Sequence, residues 1–293
     1  NSIINISDFA FNSCSGLTSL SIPNSVISIG AYVFCNSHNL TTISIPASVS
    51  TIGESSFANC EKLKSIDVDP NNENFSSSEG VMYNKDMTTL IACPGAKSNI
   101  SFPISVTTIG DYAFSSCRLL KSLMIPNTVK TIGESAFTDC IGLESVIIPQ
   151  SVTTIKDGAF YGCDAISAVY NRNNTPVEGK PEIFSDITFS NATLFIPNGT
   201  LGRYESVDPW RFFANIVETD FSGVEEVGSD MSDVRVSVKN GVLTVNGIAA
   251  GNAFVIYDMC GRAVYSGNDT VVSALPSGFY ILKAGNKAVK FAI

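Results

Sequence analysis

Apolar positions recur through the first two thirds of the chain at a fixed long interval, not at the short period of a single helix or strand. Phenylalanine stands at Phe11, Phe34 and Phe57 and again at Phe114, Phe137 and Phe160, in steps of 23 residues within each group. Leu17, Leu40 and Leu63 keep the same step, as do Leu120, Leu143 and Ile166. So do Ile22, Ile45 and Val68, and then Phe102, Ile125 and Ile148. The interval from Val68 to Phe102 is 34 residues, one repeat plus 11. Self-similarity of this length marks stacked structural repeats.

The unit reads L-x-x-[IL]-x-I-P-x-[ST]-V-x-x-I-G-x-x-A-F-x-x-C-x-x, shown well by Leu143 to Ile155. L-x-x-L-x-I predicts a short strand with its apolar residues turned inward. Proline ends the strand because it has no N–H for a ladder bond. V-x-x-I sends two more apolar residues inward, and Gly30, Gly53, Gly110 and Gly133 are expected to permit a backbone turn that other residues resist. A-F places a small and a large side chain in the core. One such coil cannot bury its apolar side; stacked coils can, with strands about 4.8 Å apart. About six full coils plus a divergent end are expected, with a parallel sheet on one side and irregular or short helical turns on the other.

The I-P-x-S-V-x-x-I-G-x-x-A-F-x-x-C pattern resembles the BspA-type leucine-rich repeats of bacterial surface proteins, over roughly residues 1–217. The resemblance implies an α/β leucine-rich-repeat solenoid of 23-residue repeats with a parallel sheet on one face. The 11-residue expansion resembles a recurring variant of that family. It is read as an insertion near 69–99, with a small hairpin over Gly80 to Leu90 that turns at Asn84-Lys-Asp86 and projects from the solenoid. After Cys163 the pattern decays. Val169 and Thr193-Leu-Phe-Ile-Pro197 hold strand positions, and residues 193–217, with Trp210 packed inside, are expected to cap the last coil.

Residues 218–232 are acidic and polar and read as a linker. From 233 to 293 the period changes to alternation, with Asn240-Gly241 as a hairpin signal, and a small all-β sandwich is expected. Val255 to Val264, Leu275 to Ile281 and Lys287 to Ile293 resemble the C-terminal sorting domain of type IX secretion cargo in Bacteroidetes. That resemblance implies export, with possible cleavage of the domain afterwards; similar sandwiches also occur as plain C-terminal modules.

Composition narrows the function. The net charge is -9, and no cluster of Lys and Arg offers the basic stripe that nucleic acid requires. An acidic chain is not drawn to an anionic membrane surface, and no apolar run approaches the length of a membrane span. The chain opens inside a repeat at Asn1, as a trimmed sequence would, so the lack of a signal peptide there says nothing about localisation. Cys14, Cys60, Cys117, Cys140 and Cys163 share one repeat position, which favours small buried thiols over a disulfide framework, although both remain open.

Candidate chemistry is sparse. The one histidine, His38, sits at a turn, no C-x-x-C pair suggests zinc, and no glycine-rich phosphate loop appears, so neither an enzyme nor a cofactor is expected. Glu54, Asp111, Glu134 and Asp157 fall at one turn position and read as a solvated edge. Asp67, Asp69, Asn71, Asn72, Glu73 and Asn74 form an oxygen-rich cluster that fits either a hard cation or an ordinary polar turn; its spacing does not match an EF-hand, and no metal is assigned.

The outward positions of the strands carry the functional expectation. Their last column runs from Ser21, Ser44 and Asp67 to Met124, Ile147 and Tyr170, beside Lys121 and Glu144. Lys121, Met124, Glu144, Ile147 and Tyr170 are the candidate ligand patch, unless the cap or the second domain folds over it. The expected role is a non-enzymatic secreted or surface-attached monomer that binds a host protein or glycan; the alternative is a structural spacer in the cell envelope.

Overall fold

A computed structural model describes residues 3–221 and, beyond them, 235–239, 242–246, 248, 253–258, 263–273, 275, 279–284 and 287–292. The chain divides into two compact units, Asn1–Ile196 with Thr200–Val217, and Pro197–Gly199 with Glu218–Ile293.

Each complete coil of the first unit contributes two strands. The L-x-x-L-x-I segments form one parallel ladder over Ser19–Ser21, Thr42–Ile45 and Ser65–Val68, and another over Ser122–Met124, Ser145–Ile148 and Ala168–Asn171. Thr193–Pro197 and Asn215–Thr219 extend the latter sheet. The V-x-x-I segments pair as well. Asn5–Ile6, Ser28–Ile29 and Thr51–Ile52 form one short parallel ladder, and Thr108–Ile109, Thr131–Ile132 and Thr154–Ile155 form another. A second side of each coil is therefore also laddered, which the reading of V-x-x-I as merely inward-pointing did not anticipate.

Between these ladders the chain turns without helix. Among the described residues, α-helix occurs only at Asp186–Asn191 and Leu201–Tyr204, both outside the regular coils. The unit is a β-solenoid, and the α/β description is corrected accordingly. The coils replace helices with turns because the A-F-x-x-C segment uses left-handed backbone twice per coil. Tyr32 and Asn36, Ser55 and Asn59, Tyr112 and Ser116, and Ser135 and Asp139 all have φ between 50° and 61°.

The consensus glycines serve a different purpose from the one expected. Gly30 and Gly133 are outside the left-handed region, and what they provide is close approach. A Cβ on Gly30 would stand 2.3 Å from Asp8 Oδ1 and 2.5 Å from its main-chain nitrogen; one on Gly133 would meet Asp111 N at 2.6 Å. Glycine is required because neighbouring coils touch there.

The interior is a set of side-chain stacks. Phe11, Phe34 and Phe57 stack at 5.8 and 5.6 Å between centroids, and Phe114, Phe137, Phe160 and Phe184 at 4.7, 5.1 and 5.3 Å. Seven cysteines among the described residues are free thiols. Cys140 and Cys163 each donate through Sγ at 3.0 Å to the carbonyl of a phenylalanine in the preceding coil, Phe114 and Phe137. Burial raises the Cys60 thiol to about 12.

The insertion does not project. Phe75–Ser78, Val81–Asn84 and Thr89–Ala92 form an antiparallel meander, and the last of these pairs parallel with Thr108–Ile109. Val81, Met82, Tyr83 and Leu90 are all buried. Val81 and Tyr83 join the C-terminal core, while Met82 joins the N-terminal core. A strand apolar on both faces belongs between two layers, so the meander welds two stacks of coils together.

At the C-terminal end Phe184 meets Phe189, Trp210 and Phe213 edge-on at 5.8, 5.9 and 5.3 Å. Trp210 is fully buried, and its Nε1–H donates to Val177 O at 2.7 Å.

The second unit contains two antiparallel sheets. One is built from Arg235–Lys239, Val242–Asn246 and Val271–Ser273; the other from Phe254–Asp258, Ala263–Gly267, Phe279–Ala284 and Lys287–Ala292. Leu243, Val245 and Val272 of the first share a core with Phe254, Ile256, Tyr280 and Leu282 of the second. The Asn240-Gly241 turn, Cys260 and most of the expected linker lie outside the described residues.

Candidate functional site

Alternation along the C-terminal ladder sets its outer face. Leu123, Val146, Val169 and Leu194 point into the core. Their neighbours Met124, Ile147, Tyr170 and Phe195 align across four strands and form one outward column. The rings of Tyr170 and Phe195 stack at 4.8 Å and 11°. Beside the column, Lys121 Nζ pairs with Glu144 Oε1 at 3.0 Å, their side chains 66% and 45% exposed.

The five candidate residues thus fall on one side of one sheet, though not with equal access. Lys121 is exposed, and Met124, Glu144 and Tyr170 are half-buried. Ile147 is only 1% exposed although it lies outside the interior cluster, so its place as a contact point is corrected. The central rung of a column, flanked by Met124 and Tyr170, has little surface left to offer. Phe195, half-buried, is the member the sequence reading missed; the alternation in Thr193-Leu-Phe-Ile-Pro197 already placed it outward. The N-terminal ladder carries Ser21, Ser44 and Asp67 in that register, and Asp67 accepts the Ser65 hydroxyl at 2.9 Å. The apolar character is therefore confined to one half of the solenoid. Ser98, Asn99 and Ser101, in the intervening coil, belong to no strand.

The other sequence candidates are structural in geometry. Asp111 Oδ1 accepts from Glu134 N at 2.7 Å and pairs with Lys156 at 3.0 Å, while Asp157 pairs with Lys180. The acidic row therefore latches coil to coil. Asn72 is fully buried: its amide donates to Pro46 O and Val49 O at 2.9 and 2.8 Å, and its Oδ1 accepts from the N–H of Asn74 and Phe75. An amide used up by main chain has nothing for a cation. His38 Nδ1 stands 3.8 Å from Glu61, whose carboxylate also meets Arg118 at 3.3 Å. Among the described residues, no group of three or more His, Cys, Asp or Glu is placed to hold a metal ion. None of their helices is long and apolar enough to cross a membrane.

The sequence pattern of the BspA type leucine-rich repeat region matches residues 1–97 and 92–204, in six copies. The chain belongs to this family. Among solved structures, a leucine-rich repeat protein from Eubacterium ventriosum is 25% identical with a TM-score of 0.54, over 69% of this chain and 66% of that one. A leucine-rich cell surface protein from Faecalibacterium prausnitzii is 26% identical with a TM-score of 0.56, over 70% of this chain and 60% of that one. This BspA-type chain thus spans less than two thirds of the length of either. The pneumococcal vaccine antigen PcpA shares the fold at 22% identity and a TM-score of 0.51, over 74% of this chain and 71% of that one. No curated protein matches.

Proposed function

We propose that this BspA-type chain is a non-enzymatic binding or adhesion protein of the bacterial exterior, which engages a host protein or glycan through the outer face of its C-terminal ladder. The observation that carries this reading is the Met124–Ile147–Tyr170–Phe195 column beside the Lys121–Glu144 pair. An aromatic row rimmed by charge suits the flat surface of a protein or the face of a sugar ring. The likeness to a cell surface protein supports the location. In the same proposal the chain acts as a monomer, and residues 233–293 act as an export-sorting domain, as their sequence resemblance implies.

The test is binding of the purified chain to immobilised host matrix proteins, mucins and glycans, repeated with a Tyr170→Ser, Phe195→Ser variant whose fold is checked by circular dichroism. A saturable signal lost in the variant supports the proposal. A signal indifferent to both substitutions, or a blank array, removes this face from consideration.

A further inference from the structure

In every complete pair of adjacent coils, three alternate N–H groups of the A-F-x-x-C turn donate to three carbonyls of the next coil. Tyr32, Phe34 and Asn36 donate to Glu54, Ser56 and Ala58 at 2.9, 2.9 and 3.1 Å. Tyr112, Phe114 and Ser116 donate to Glu134, Ala136 and Thr138 at 2.8, 2.7 and 2.8 Å. Towards the cap the series thins to the single Phe160 N–H to Ile183 O bond, and between the two stacks of coils it stops. The N–H groups of Ser55, Phe57 and Asn59 have no partner among the described residues, nor do the carbonyls of Asp111 and Ser115 across from them; only Ala113 O is taken, by Cys93 N at 2.7 Å.

The cause is a shortened coil. Leu90 pairs with Ile109, yet only twelve residues separate Leu90 from Phe102, against sixteen between Ile109 and Ile125. The meander's coil lacks the four residues that would carry the A-F turn. What remains is a cleft of about 80 Å³ between the two stacks, lined by Glu54, Ser55, Phe57, Asp111, Tyr112 and Ser115 among others. Ser55 is 9% exposed, and its Oγ has no hydrogen-bond partner. Unpaired main-chain donors on one wall and acceptors on the other, at alternate positions, complement an extended peptide in the manner of strand addition.

We infer that this cleft binds a short extended peptide segment bearing a basic side chain, whose main chain takes the place of the missing turn. Its carbonyls accept from Ser55 and Phe57, one N–H donates to Asp111 O on the near side of the Cys93–Ala113 bond, and its cation faces Glu54 at the rim. Asp111 already pairs with Lys156, whereas among the described residues no cation pairs with Glu54, whose Oε1 accepts from the Tyr32 hydroxyl at 3.5 Å. The cleft lies at the turn edge of the coils, apart from the strand face, so this inference stands or falls independently of the proposed function.

The probe is the capped pentapeptide acetyl-Ala-Ser-Lys-Ser-Ala-amide, titrated into the full chain and followed by amide-proton shifts. Saturable downfield shifts at Ser55 and Phe57 are expected. They should vanish with the same peptide N-methylated at alternate residues. Affinity should fall about tenfold when norleucine replaces the lysine, or when Glu54→Gln is introduced. Absence of shifts at those amides, shifts that survive N-methylation, or binding indifferent to the lysine would each overturn the inference.

Discussion

Cys140 Sγ lies 3.0 Å from the carbonyl oxygen of Phe114 and donates to it across the coil boundary. Ser37 occupies the same repeat position and donates to Phe11 O at 2.9 Å. The repeat thus selects a small side chain with a donor to satisfy a buried carbonyl, rather than a thiol as such. Cys140→Ser should change stability little, whereas Cys140→Ala removes one of the two donors on the Phe114 carbonyl, which keeps the Cys117 N–H at 2.9 Å, at a cost of about 0.5–1.5 kcal/mol. Urea midpoints of the two variants check this; equal loss in both would contradict it.

Burial raises the thiol of Cys60 to about 12, and those of Cys117 and Cys163 are also raised, in Cys117 with the Cys93 thiol as the first cause. The native state therefore holds these groups protonated. In the unfolded chain they ionise near 9.0, so the stability they contribute is complete below that pH and declines as pH rises from about 9 towards 12. Each such thiol contributes up to about 1.4 kcal/mol per pH unit in that window. Thiol titration at pH 8 should leave these three unreacted until denaturant is added.

Gly30→Ala sets a Cβ against Asp8, while Gly16→Ala meets nothing within 4 Å. The first substitution should destabilise by about 1–3 kcal/mol and the second should be neutral. Paired thermal melts decide the point.

Much of this was legible in advance, and particular residues show why the rest was not. The spacing of Phe11, Phe34 and Phe57 predicts the stack because a repeat can bury its apolar side only against a copy of itself. The same spacing cannot distinguish a glycine kept for its φ from one kept for close approach; Gly30 looks identical in both cases until Asp8 is placed beside it. The V-x-x-I segment is too short to announce a ladder, and two-residue strands such as Thr131–Ile132 exist only because neighbouring coils align them. The hairpin over Gly80 to Leu90 was visible, but its burial on both faces follows from which coils flank it. At the candidate site, alternation placed Met124 and Tyr170 outward correctly. It could not show that a residue in mid-column, Ile147, has almost no surface left.

Trp210 joins the cap to the last phenylalanine of the stack and donates to Val177 O. Trp210→Ala should cost about 3–5 kcal/mol and loosen the C-terminal coils first, because each coil is held mainly by its neighbours. Hydrogen exchange should then rise at Leu194 and Val169 before it rises at Ile43. Uniform loss of protection would contradict this order.

The central claim is that ligand contact belongs to the C-terminal half of the strand face. The most direct measurement is the dissociation constant for a ligand found on the array, compared between two folded variants. One is Lys121→Glu with Tyr170→Ser, and the other carries Ser21→Lys with Ser44→Lys on the N-terminal ladder. The account predicts a loss of about tenfold or more in the first and little change in the second. Equal affinity in the first variant, or the larger loss in the second, would contradict it.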